Sequence, residues 1–117
     1  ELNFHEEAEE GYRKAVEFGD YQLDTWLFWA DTLVFIGEYA TAADTLLQAT
    51  EYFPEEYEIE YRLAGLYFML NESEKGIFHM SNGLRLNYRN HVMLEEFFPS
   101  IWPNEILQET LAKHRKK

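Results

Sequence analysis

The sequence of 117 residues contains no cysteine, which excludes disulfide bonds, thiolate metal ligands and cysteine nucleophiles. Only 3 prolines and 6 glycines occur, too few for a collagen-like or linker-type chain. No apolar run approaches the ~18 residues that cross a bilayer, and the acidic amino terminus is unlike a signal peptide. These absences predict a cytoplasmic protein with no membrane partner.

Basic residues are also scarce, with 10 against 22 acidic residues and a formal net charge of -12. Such a surface repels phosphate backbones, so we expect no nucleic-acid partner. Four of the basic residues stand together at the end of the sequence: Lys113, Arg115, Lys116 and Lys117. This cluster is typical of a helix end that complements the helix dipole, and the alternative is an anion-binding tail.

The residues that are present favour a packed helical fold. Hydrophobic residues make up 46% of the sequence and aromatic residues 17%. They recur at helical spacing almost throughout, and no segment alternates with a period of two, so the prediction is an all-α protein. Helix ends are predicted at Gly37 and Asn71, the residue types that most often adopt the left-handed conformation after a helix. Ser73 is expected to cap the helix that follows.

A repeat period of about 34 residues links these segments. It relates Gly37 to Asn71, and it aligns apolar or small residues along both helices that flank each of them. Gly76 and Gly83 fall inside a helix, where each costs about 1 kcal/mol relative to alanine, so we expect a neighbouring backbone to pack against them.

This pattern resembles the tetratricopeptide repeat family, whose signature is a Trp, Leu-Gly and Tyr on one helix and Ala, Phe, Ala and Pro on its partner. The best match contains Trp26, Trp29, Ala30, Leu33, Gly37, Tyr39, Ala42, Leu46, Ala49 and Pro54. The resemblance implies a right-handed α-α superhelix of antiparallel hairpins. It divides the chain into residues 4–19 (the second helix of a truncated repeat), repeats at 23–56 and 57–90, and capping helices at 91–117.

The truncated repeat predicts that the chain is a carboxyl-terminal piece of a longer array. Its apolar residues Phe4, Tyr12 and Val16 would then be partly bare and could drive self-association.

Catalytic motifs are missing from the sequence. The four histidines, His5, His79, His91 and His114, lack the spacing of metal-binding pairs, and the acidic pairs are adjacent rather than on one helix face. No glycine-rich phosphate loop or nucleophile elbow occurs. We therefore expect no enzyme, no metal and no cofactor.

The family geometry implies that the first helix of each hairpin lines a concave groove. The groove residues would be Asp24, Leu27, Asp31, Val34, Phe35, Glu58, Tyr61, Phe68 and Met69, with Gly65 among them. An acidic, aromatic-rich groove suits a peptide or partner protein with basic and apolar side chains, so a binding scaffold is predicted. Two alternatives stay open: Phe35, Phe68 and Met69 pack between repeats, or the chain is a structural spacer or self-association segment.

Overall fold

The computed structural model describes residues 11, 13 and 22–115, and the all-α prediction is confirmed in this part of the chain, which contains no β-strand. Short 3-10 turns at Tyr88–His91 and Pro99–Ile101 flank the fifth helix. The α-helices over residues 22–115 are α1 (Leu23–Phe35), α2 (Tyr39–Ala49), α3 (Tyr57–Met69), α4 (Ser73–Leu86), α5 (Val92–Phe97) and α6 (Glu105–Arg115). Among the described residues, no helix combines the length and apolar character needed to cross a bilayer.

The chain divides into two compact units, Glu1–Pro54 and Glu55–Lys117. In the first unit, α1 packs against α2, and the short connection between them makes a first antiparallel hairpin. In the second unit, α3 and α4 make a second hairpin, α5 packs on α3, and α6 packs on α4. The predicted helix over residues 4–19 lies outside the described residues, apart from Gly11 and Arg13, which are both helical.

The leading helix of each hairpin ends in the same turn. Gly37 and Asn71 both have positive φ angles, of 85° and 61°, as their positions predicted. In the first turn the Gly37 N–H donates to the Val34 carbonyl at 3.0 Å. The Glu38 N–H donates to the Leu33 carbonyl at 2.8 Å. These two bonds form a Schellman motif, which satisfies carbonyl groups that a helix end leaves without partners.

The turn at Asn71 repeats this pattern one period later in the chain. The Asn71 N–H donates to the Phe68 carbonyl at 3.1 Å, and the Glu72 N–H donates to the Tyr67 carbonyl at 2.8 Å. Because Glu72 closes this motif and is also the N-cap of α4, Ser73 falls in the first helical turn. The prediction that Ser73 caps α4 is therefore wrong, and the side chain of the N-cap residue Glu72 makes no capping hydrogen bond.

The core of the first hairpin centres on tryptophan. Trp26 is 1% exposed, and its ring stacks on Trp29 and on Tyr52 with centroid distances of 5.8 Å in both cases. The facing helix α2 buries the small residues Ala42 and Ala49 completely, together with Leu46. Large rings against small residues allow close packing of the two helices.

The second hairpin pairs aromatic rings with glycines. A Cβ atom placed on Gly76 would lie 2.9 Å from the Phe68 ring, and one placed on Gly83 would lie 2.9 Å from the Tyr61 ring. The expectation that a neighbouring backbone packs against these two glycines is therefore wrong, because aromatic side chains occupy the space. The glycines leave room for rings that an alanine would displace.

Candidate functional site

The predicted groove residues of the first hairpin have different exposures. Asp24, Asp31 and Phe35 are exposed, Val34 is half-buried and Leu27 is buried. Leu27 is only 4% exposed, so its side chain belongs to the core and not to a surface that a ligand can contact. The three exposed residues lie on one face of α1, because offsets of seven and eleven positions return close to the same helical angle.

Phe28 belongs to the same face, although the sequence analysis did not select it. It follows Asp24 by four positions and precedes Asp31 by three, and it is 57% exposed. Phe35 is 74% exposed. Asp24, Phe28, Asp31 and Phe35 thus form an alternating acidic and aromatic line, here named the Asp–Phe stripe. The i, i+4, i+7, i+11 spacing carried this signal in the sequence.

The groove residues of the second hairpin are more deeply buried. Glu58 and Met69 are half-buried, whereas Tyr61 and Phe68 are 1% and 4% exposed. The Tyr61 hydroxyl donates to the Asn87 carbonyl at 2.7 Å. Burial of the phenol raises the pKa of Tyr61 above its ordinary value, and nearby Tyr88 and Tyr57 raise it further. Tyr61 and Phe68 therefore pack inside the second hairpin. The alternative of packing between repeats does not describe Phe68, whose ring lies against Gly76 of its own hairpin, or Phe35, which is exposed.

The carboxyl-terminal segment covers another face of α3. The Phe98 ring lies directly against Gly65 and fills the space that a side chain there would need. The Arg62 guanidinium lies 5.0 Å from the centroid of the Phe97 ring. The Ser100 hydroxyl donates to the Met69 sulfur at 3.3 Å. As a result α3 is buried at every position from Ile59 to Phe68, and little of it remains for a ligand.

A buried polar pair connects α3 to α4. The Glu60 carboxyl lies 2.8 Å from His79 Nδ1 and also accepts a hydrogen bond from the Asn82 amide at 3.1 Å. Both members of this Glu–His pair are less than a tenth exposed. The Tyr67 ring stacks on the imidazole with a centroid distance of 5.5 Å, so the histidine is held on both its edge and its face.

The sequence predicts no specific role for His79, only a side chain that faces solvent or makes a single hydrogen bond. The available signal was Glu60, which stands where the repeat signature has a tryptophan. Within residues 22–115, no group of three or more histidine or acidic side chains is arranged to hold a metal ion.

Comparison with models of known protein families gives no match, and no curated protein is significantly similar to the sequence.

Proposed function

We propose that this chain is a non-catalytic protein-interaction module from a tetratricopeptide-type array, and that it binds a peptide or partner protein. The observation that supports the array is the common register of its hairpins. α1 and α3 begin at Leu23 and Tyr57 and end at Phe35 and Met69. Equal spacing of helix starts, helix ends and turn hydrogen bonds is typical of stacked helical repeats in a right-handed superhelix.

The binding surface in this proposal is the Asp–Phe stripe on α1. Its carboxylates attract basic side chains, and its two exposed phenylalanine rings offer apolar contact area and cation–π partners. We propose a helical partner segment that carries arginine and leucine along one face, because such a face matches both the charge and the spacing of the stripe.

The test measures fluorescence anisotropy of a labelled helical peptide with arginine and leucine alternating along one face. Replacing both Phe28 and Phe35 with alanine should weaken binding about tenfold or more, since large aromatic residues dominate interface energies. Replacing Asp24 and Asp31 with asparagine should weaken binding and reduce its salt dependence.

Matched controls lie on other helices. Phe78 on α4 is 62% exposed, and Asp44 on α2 is also exposed. Phe78→Ala and Asp44→Asn should leave the affinity unchanged. Equal affinity of wild type and the Phe28→Ala/Phe35→Ala variant would exclude the stripe as the binding surface. A concentration-dependent dimer that the same variant abolishes would instead assign the stripe to self-association.

A further inference from the structure

A second surface of opposite charge lies within the second unit. An open cleft of about 680 Å³ forms where the ends of α4 and α6 meet the 3-10 turn at Tyr88–His91. This arginine cleft is lined by Leu84, Arg85, Tyr88, His114 and Arg115. None of these five described residues is acidic, although the chain carries 22 acidic residues against 10 basic ones. A cationic cleft on a chain of this charge concentrates positive potential at one place.

The cleft is built on helix ends that favour cations. Arg85 lies in the last turn of α4, and Arg115 lies in the last turn of α6. Partial negative charge at a helix carboxyl terminus stabilises such residues. Leu84 lines the cleft but is only 4% exposed, so the apolar contact area comes mainly from the half-buried Tyr88 ring. The cleft therefore combines cationic and apolar contacts.

Each arginine donates one side-chain hydrogen bond to a neighbouring residue. The Arg85 guanidinium donates through Nη2 to the Asn82 side-chain oxygen, and the Asn82 amide donates to the Glu60 carboxyl of the Glu–His pair. Arg115 Nε donates to the Tyr88 hydroxyl at 3.4 Å. These bonds use one nitrogen of each guanidinium. A guanidinium has five N–H donors, so each arginine keeps donors for a ligand.

We propose that the arginine cleft binds an acidic segment of a partner polypeptide. A carboxylate of the segment pairs with Arg85 and Arg115, because planar guanidinium groups match carboxylates in two-bond geometry. An apolar side chain beside that carboxylate lies on the Tyr88 ring. The volume and the apolar wall favour a peptide over a lone inorganic anion, which would leave the apolar wall uncovered. This site is independent of the Asp–Phe stripe and has the opposite charge preference.

The experiment titrates the full chain into a labelled, end-blocked peptide that alternates glutamate and leucine, at low and at moderate salt. A second peptide replaces each glutamate with glutamine, and inorganic phosphate is tested separately as a competitor. The Arg85→Gln/Arg115→Gln variant removes both charges at exposed positions, so the fold should be retained. Lys75→Gln is the control for a lost positive charge outside the cleft. Circular dichroism checks the fold of each variant.

We expect the glutamate peptide to bind more weakly as salt rises, because exposed ion pairs are screened. The double arginine variant should lose about tenfold in affinity, which corresponds to about 1.4 kcal/mol. Lys75→Gln should bind like wild type. Equal binding of the glutamine peptide, or an equal loss in Lys75→Gln and in the double variant, would overturn the proposal. Binding of phosphate without binding of the glutamate peptide would overturn the peptide as the occupant.

Discussion

The first hairpin (α1–α2) and the second hairpin (α3–α4) end their leading helices in the same Schellman turn but fill their interiors differently. The shift that superimposes Gly37 on Asn71 in the sequence also places Val34 at the position of Phe68, and Ala42 at the position of Gly76. At the leading-helix position the first hairpin has the smaller residue, and at the second-helix position it has the larger one. The two hairpins therefore keep one backbone register while the side chains that fill the space between their helices differ.

The polar positions differ in the same way. The same shift places Trp26 at the position of Glu60, and Thr45 at the position of His79. In the first hairpin the Thr45 hydroxyl donates to the carbonyl of Thr41, within its own helix, at 3.0 Å. In the second hairpin the equivalent residue bonds across to α3. One hairpin thus uses an indole ring where the other uses a hydrogen-bonded pair.

Breaking the Glu–His pair should have the largest effect on the second hairpin. His79→Leu removes one of the two described hydrogen bonds to the buried Glu60 carboxyl. Loss of a buried partner of this kind costs about 2 kcal/mol in the free energy of unfolding. Urea denaturation followed by circular dichroism measures this change.

The control for that prediction is the double variant Glu60→Leu/His79→Leu. Replacing both polar partners with apolar residues leaves no buried carboxyl behind, so most of the lost stability should return. A double variant that loses the sum of the two single losses would show that the pair is not energetically coupled.

A second prediction concerns the contact between Gly76 and Phe68, whose equivalents in the first hairpin are Ala42 and Val34. Gly76→Ala gains about 1 kcal/mol of helix propensity. The new methyl group meets the Phe68 ring, however, and overpacking of this kind costs about 1–3 kcal/mol. We expect a net loss of about 1 kcal/mol in the wild-type chain. In the Phe68→Val background, which has the valine of the first hairpin, Gly76→Ala should become neutral or stabilising. A double-mutant cycle in urea measures the coupling, and an unchanged cost of Gly76→Ala would contradict this account.

An effect smaller than that of the Glu–His pair is expected at the shared turn. Gly37→Ala should lose about 1 kcal/mol, because alanine is disfavoured at a positive φ angle. Gly37→Asn should lose less than Gly37→Ala, because Asn71 adopts the same conformation in the second hairpin. Thermal unfolding of the two variants gives the order. A larger loss for asparagine than for alanine would show that the two turns are not equivalent.

The sequence predicted the helices and their turns better than the candidate site, because helices and turns have local causes. Apolar periodicity and the residues at Gly37 and Asn71 were enough to predict the hairpins and their turns. The burial of Tyr61 and Phe68 depends on the glycines of α4, and Gly65 is covered by Phe98, which comes much later in the chain. The partner of His79 lies 19 positions away, at Glu60. Contacts at such separations are fixed by helix packing, which residue spacing within one helix does not describe.

The two hairpins share one turn and one register, so an exchanged pairing of their helices is conceivable. Since α2 and α4 occupy equivalent places in their hairpins, a swapped pairing of α2 with α3 would set Thr45 opposite Glu60. That arrangement removes the imidazole and the Asn82 amide from the carboxyl, while His79 in turn would face the Trp26 ring. Buried polar groups without hydrogen-bond partners make this exchanged pairing unfavourable. The hydrogen bonds of the Glu60 carboxyl are therefore satisfied when α3 pairs with α4 and lost when it pairs with α2.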